Sequence, residues 1–159
     1  MNDLVPIIPQ GEQYAVIVDI DGTLANNNHR RHFVERPVSE RDWKAFNDFM
    51  GYDTVHHHVA LILHSLMNVG FAGVLATGRG EEHRKLTETW LTFNMISYDK
   101  LYMRPAKDFR SDVEVKRELL DQIKEDGYHP YLSLDDRNSV VAMWRDAGIP
   151  TFQVADGDF

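Results

Sequence analysis

Two carboxylates one residue apart close an apolar run, Tyr14-Ala15-Val16-Ile17-Val18-Asp19-Ile20-Asp21-Gly22-Thr23-Leu24. The run is too short for a helix and reads as a strand over residues 14–20. Alternate side chains of a strand share a face, so Asp19 and Asp21 are expected to start out aligned. Gly22 then allows the backbone to leave the strand at a sharp angle. A buried strand that delivers two acids into a loop is costly unless a cation meets them. Oxygen-only ligands at that spacing suit a hard divalent ion such as Mg2+. An Asp-Gly pair by itself is an ordinary turn; the full Asp-x-Asp-Gly-Thr-Leu string after a strand points to chemistry.

Two more strands end in reactive groups. Residues 71–76 lead into Thr77-Gly78-Arg79, and residues 131–134 lead into Asp135-Asp136. If Asp19, Asp21, Asp135 and Asp136 converge, they cannot all ionise without a counter-charge. A divalent cation is the simplest remedy and would also screen an incoming phosphate. Asp19 then has a free oxygen for attack on phosphorus, giving an aspartyl-phosphate. Asp21 is placed to protonate the leaving oxygen and later to activate water. Phosphoryl transfer also needs donors around the equatorial oxygens. Thr77 offers a hydroxyl and a backbone N–H, and Lys116 lies early on a helix whose N-terminal end favours anions.

Strands and helices alternate along the chain. The segment from about 25 to 52 breaks the alternation with the polar Asn26-Asn27-Asn28 and a mix of aromatics and charges, and reads as a flap or insertion. Within it, Pro37-Val38-Ser39 followed by Asp42 looks like a helix start, with Trp43, Phe46 and Phe49/Met50 on one face. Asp53 or Thr54 is expected to cap the next helix, which carries Val55, Val59, Ile62, Leu66 and Val69 at helical spacing. Residues 81–94 form a helix with Leu86, Trp90 and Phe93 on one stripe. Residues 101–103 are a short strand. Ser111 and Glu114 make a capping box that opens a helix carrying Val115, Leu119 and Ile123. Residues 138–147 form a helix with Val140, Val141, Trp144 and Ala147 inward, and residues 151–154 a last strand. Such alternation implies an α/β fold, a single Rossmann-like domain over 1–159 with a central parallel sheet and helices on both faces. Right-handed crossovers place every strand's C-terminal end, and with it the polar strings, on one edge.

In this order, the motifs resemble those of the haloacid dehalogenase superfamily of phosphatases. The resemblance covers nearly the whole chain and implies an Mg2+-dependent phosphoric monoester hydrolase. By that match Asp19 is nucleophile and metal ligand. Asp21 is acid/base and lends a backbone carbonyl to the metal. Thr77 and Lys116 hold the phosphoryl group, and Asp135 and Asp136 supply the remaining carboxylate ligation, either of them directly. Within that superfamily the chain resembles the 3'-phosphatase domain of bacteriophage polynucleotide kinase. That similarity is carried by Asp19 to Ala25 with Arg30, Thr77-Gly78-Arg79, Arg110, Asp112 and Lys116, Leu134-Asp135-Asp136-Arg137, and the last section from Val140 to Phe159. It implies substrate-side roles for Arg30, Gly78, Arg79 and Asp112. It departs in having Thr at 77 where that family has Ser, and in the 31–50 segment, which does not align.

The rest of the composition narrows the field. Hydrophobic content of 43% supports a real core. With no cysteine there is neither a disulfide framework nor a thiolate metal site. No apolar run is long enough to span a bilayer, and residues 1–10 carry no basic residue before their few apolar ones, unlike a secretory signal. A cytoplasmic location is the expectation. No Gly-x-x-x-x-Gly-Lys-Ser/Thr phosphate loop suggests a kinase half. A net charge of −8 argues against broad charge-driven binding to a nucleic-acid backbone, though not against gripping a few phosphates in a pocket.

His56, His57 and His58 are consecutive on a helix, point different ways and form no single site. Arg30, Arg31, Arg36, Arg41 and Lys44 read as a solvated flap face or a strand-gripping one. Trp43 could stack a base but its spacing favours the core. Asp156 and Asp158 have no assigned role. The substrate expected is a phosphorylated nucleic-acid end in nucleic acid repair, with no membrane partner. A nucleoside monophosphate is the alternative with the same chemistry, and a non-catalytic module that binds phosphate ends is a third reading.

Overall fold

Val16 and Val18 face one side of a sheet, Ala15 and Ile17 the other, and all four are buried. A strand apolar on both faces belongs at the centre of a parallel sheet covered by helices. A computed structural model describes residues 12–157; the expectations for residues 1–10 and for Asp158 lie outside them. The strand, β1 (Gln13–Val18), pairs in parallel with β4 (Ala72–Gly80) on one side and β6 (Tyr128–Asp135) on the other. Beyond them lie β5 (Lys100–Arg104) and β7 (Thr151–Gln153), giving the order β5-β4-β1-β6-β7.

Helices α3 (His57–Asn68) and α4 (Arg84–Phe93) supply the core residues of one face, and α5 (Asp112–Glu125) and α6 (Asn138–Asp146) those of the other. The expected α/β class is therefore the one observed. Strand order reverses about β1, whose neighbours come from opposite directions of winding. Its C-terminal end is thus the switch point where such sheets bind ligands, and Asp19 follows that end directly.

A short antiparallel pair, β2 (Ala25–Asn26) with β3 (Thr54–Val55), was not anticipated. It closes the neck of the flap. The flap holds α1 (Asn28–Arg31), α2 (Trp43–Asp48) and two 3-10 turns, Val38–Glu40 and Met50–Tyr52. The helix start expected at residue 37 is only the first of these turns. α2 begins at Trp43, with the Asp42 carboxylate accepting from the Ala45 N–H at 2.9 Å. Phe46 and Met50 are buried as expected, but Trp43 is 51% exposed and meets Phe46 edge-on at its rim.

Other boundaries shift for physical reasons. Val55 pairs in β3, so α3 starts two residues later and its inward arc becomes Val59, Ala60 and Leu63, with Leu66 and Met67 packed behind; Ile62 and Val69 turn outward. Neither Asp53 nor Thr54 caps α3, whose N-cap position is His56. On α4 the inward set is Thr87, Trp90 and Leu91, while Leu86 lies at the margin and Phe93 is 83% exposed. The α5 capping box forms as read, with Ser111 and Glu114 each serving the other's backbone. No helix among the described residues is long and apolar enough to cross a membrane.

Candidate active site

The chain leaves β1 through a tight loop. The Asp19 N–H donates to the Leu134 carbonyl at 3.0 Å, and the Ala25 N–H returns to the Ile20 carbonyl at 2.7 Å. Gly22 has φ +87°, and a Cβ there would collide with the Asp136 carboxylate. Glycine is thus required twice over, once for its backbone and once for its lack of a side chain. β1 ends at Val18, so the alternation expected to align Asp19 with Asp21 has stopped before either residue.

The two aspartates consequently face different partners. Asp19, Asp135 and Asp136 each present an oxygen within 4.8 Å of the others, and all three are buried. Lys116 reaches them from the first turns of α5, its ammonium 2.6 Å from Asp19 Oδ1 and 2.7 Å from Asp135 Oδ2. Burial pushes the Asp19 carboxyl well above the usual carboxylate range; Lys116 opposes that, and the charges of Asp135 and Asp136 add to it. Asp136 is also raised, by burial and by Asp135. Burial would lower the Lys116 ammonium, but Asp135 and Asp19 outweigh it and raise it. One cation among three buried carboxylates leaves a deficit of positive charge.

The donor set therefore fits a hard divalent cation: oxygen ligands only, buried, close together and under-compensated. The hydrogen bonds distinguish two of the acids. Asp135 accepts from Lys116, from Trp144 Nε1 at 3.1 Å and from the Arg137 N–H at 3.2 Å. Among the described residues Asp136 accepts one side-chain bond, from Thr23 at 3.2 Å, and so has the more open carboxylate. Thr77 is buried within β4, which runs on to Gly80 through an irregularity rather than ending before Thr77, and its hydroxyl accepts from the Arg79 N–H at 3.2 Å.

Asp21 does not join this cluster. It faces Arg79, whose Nε lies 3.0 Å from Oδ2 and Nη2 2.7 Å from Oδ1, and Arg30, whose Nη2 donates to Oδ1. Burial would raise the Asp21 carboxyl, yet Arg79 and Arg30 together hold it well below the ordinary carboxylate range.

Both arginines are buried, and both bind a second acid, Asp53, which is not the helix cap its place before α3 suggests. Asp53 accepts from Arg30 Nε at 2.7 Å and Nη2 at 2.5 Å, from Arg79 Nη2 at 3.0 Å, and contacts His29 Nε2 at 2.9 Å. Its carbonyl accepts from Trp90 Nε1 at 2.7 Å. No local motif marks Asp53. The usable signal is charge: two buried guanidiniums cannot be balanced by Asp21 alone. The Arg30 guanidinium also lies over the Phe46 ring at 4.1 Å.

Asp112 heads α5. Arg104 and Arg137 both donate to its carboxylate, and its Oδ1 would be 2.9 Å from a Cβ on Gly78. Gly78 thus lets α5 approach the last residues of β4, where its register with β5 shifts between Thr77 and Gly80. Gly157 plays a similar part, since a Cβ there would strike the backbone at Asp136 and Arg137. The carbonyl of Gly157 accepts from the Asn138 N–H at 3.0 Å, seating the tail against the acidic loop. Arg110 is spent on Asp108 and Glu118 at the surface. The histidine triplet departs from the reading: His56 precedes α3 as its N-cap residue, its Nδ1 meets the Thr23 carbonyl at 2.8 Å, and its ring lies 5.4 Å from that of His58. The acid triad is the one group among the described residues arranged to hold a metal ion.

This sheet and its acid-and-lysine edge define a phosphatase of the haloacid dehalogenase type. Similar folds include a haloacid-dehalogenase-like hydrolase from Streptococcus pneumoniae, at TM-score 0.59 and 13% identity over 88% of this chain and 83% of that one. The family model of the polynucleotide kinase PNKP phosphatase domain matches residues 13–159, and the chain belongs to that family, a family of phosphoric monoester hydrolases.

A chain in a solved Pnkp1/Rnl/Hen1 complex has TM-score 0.79 and 35% identity, covering 93% of this chain and 47% of that one. A protein of Autographa californica nuclear polyhedrosis virus, described as a bifunctional polynucleotide kinase/RNA ligase, is 29% identical over 156 residues, 95% of this chain and 21% of the relative. The chain thus spans half or less of these longer relatives.

Proposed function

We propose that the protein removes the 3'-phosphate from polynucleotide ends through an aspartyl-phosphate on Asp19. The observation that carries the reading is the division of the two aspartates: Asp19 sits beside Lys116 among the acids, and Asp21 is held apart by arginines. Asp19 Oδ attacks phosphorus as the ester oxygen leaves with its electron pair and takes a proton from Asp21. Asp21, now a base, takes a proton from water. The water oxygen bonds to phosphorus, the Asp19–phosphorus bond breaks, and inorganic phosphate departs.

The resting Asp21 is an anion, the form the second step needs. The first step needs its protonated form, so the arginine clamp must loosen as substrate arrives. Thr77 and Lys116 donate to the transferred phosphoryl group. Mg2+ would be held by Asp19 and Asp136, with Asp135 oriented behind them by Lys116 and Trp144, and supplies counter-charge to the acids and the phosphate when bound. Residues 1–159 are proposed as one domain carrying the flap.

The substrate assignment draws on the family and on relatives described by polynucleotide kinase and RNA ligase activities. The test is a side-by-side assay of a 3'-phosphorylated oligonucleotide and free nucleoside monophosphates with Mg2+. Preference for the oligonucleotide is expected. Preference for mononucleotides overturns the substrate and leaves the aspartyl-phosphate chemistry standing.

A further inference from the structure

Phe109 is 94% exposed, the most exposed large apolar side chain among the described residues. A single apolar residue on a surface needs no explanation; the setting of this one does. Its loop, residues 105–110, joins β5 to α5 and sits on the catalytic edge. It is folded around one guanidinium. Arg104 Nη1 donates to the carbonyls of Asp108 at 3.3 Å and Arg110 at 2.7 Å, Nε donates to the Gly78 carbonyl at 2.8 Å, and Nη2 donates to Asp112.

The loop also holds itself. The Asp108 N–H donates to the Pro105 carbonyl at 3.2 Å, and the Arg110 N–H to Asp108 Oδ1 at 2.9 Å. Phe109 is therefore presented to solvent from a fixed backbone tied to the last residues of β4 and to the head of the Lys116 helix. Lys107, two residues away, is exposed and has φ +60°, left-handed for a residue other than glycine. Arg110 neutralises Asp108, and among the described residues Lys107 has no ion pair, on a chain of net −8.

A ring fixed in water two residues from an exposed lysine, at the rim of a phosphate site, is the pattern by which proteins hold single-stranded nucleic acid. We propose that this loop is a subsite for the strand attached to the scissile phosphate: Phe109 stacks on the base of one of the last two nucleotides, and Lys107 faces the backbone phosphates. The proposal rests on the polynucleotide reading above and adds where the strand lies. A base is the occupant favoured over a protein segment because the ring is alone rather than part of an apolar groove, and its neighbour is cationic.

The experiment measures kcat and KM on 3'-phosphorylated oligodeoxynucleotides that are intact or abasic at the last or the penultimate position. Phe109→Ala is expected to raise KM for the intact strand roughly five- to a hundredfold, the range of one lost stacking contact, with most of the change in KM rather than kcat. Wild type is expected to show a matching rise on one of the two abasic strands, and Phe109→Ala no further rise on that strand. Phe109→Trp should restore the wild-type KM. An unchanged KM in Phe109→Ala, or losses that multiply when base and ring are both removed, overturns this inference alone. A wild type that leaves the intact oligonucleotide untouched overturns the polynucleotide reading and this inference with it.

Discussion

Arg79 holds Asp21 by two nitrogens, Nε 3.0 Å from Oδ2 and Nη2 2.7 Å from Oδ1, and its Nη2 also reaches Asp53 at 3.0 Å. Arg30 binds the same two carboxylates from the flap side. Both guanidiniums are thereby engaged with Asp21 and Asp53.

Arg79→Lys keeps the charge and loses the fork. Losing a charge-assisted contact to Asp21 should cost about 1.5–3 kcal/mol, roughly ten- to a hundredfold in kcat/KM. Because the contact acts through Asp21, the loss should be alike for a 3'-phosphorylated oligonucleotide and for p-nitrophenyl phosphate. Arg30→Ala should behave in the same way and lower Tm as well, since it leaves Asp53 buried with a partner missing. A loss confined to the oligonucleotide would move these arginines onto the substrate.

Asp19→Asn preserves shape and removes the attacking charge, so turnover should fall by several orders of magnitude. Mg2+ should raise the Tm of the wild type by mass action, and Asp136→Ala should abolish that rise while the protein remains folded. Chelation should abolish activity and Mg2+ restore it; full activity in excess EDTA removes the metal from the mechanism.

Away from the site, Tyr102 Oη donates to Asp126 Oδ2 at 2.6 Å and ties β5 to the end of α5. Tyr102 is raised, by burial and by that bond, and Asp126 is lowered, by Tyr102 and then by Lys100. A raised phenol gives stability that is present below its ordinary pKa of about 10 and is lost as pH rises beyond it. A lowered carboxylate gives stability that is present above about 3.9 and is lost as pH falls further. Tyr102→Phe should lower Tm near neutrality and reduce the pH dependence at both limbs; melting curves from acid to alkaline pH check this.

The catalytic edge was legible because each reactive string follows a strand. Asp19, Thr77 and Asp135 each end an apolar run, and parallel strands deliver such ends to one side. The capping box at Ser111 likewise located the helix that brings Lys116 to the acids. These are local patterns, set by the two-residue period of a strand and by hydrogen bonding within one turn of a helix.

What the sequence alone determined is therefore the α/β class, the common edge and the residue types that gather there. Tertiary structure decided which residue faces which. The Asp21 carboxylate turned away from the other three acids because the strand stops at Val18, and with it the alternation that would have aligned Asp21 with Asp19. Asp53 became the second anchor of the arginines because β2 pairs with β3, a contact between residues some 30 apart that folds the flap back over the switch point. Trp43 and Phe93 stayed outside, since which arc of a helix is inward depends on what packs against it. Pairings between distant residues follow from the closing of the whole chain around its buried charges, and no window of neighbouring residues contains them.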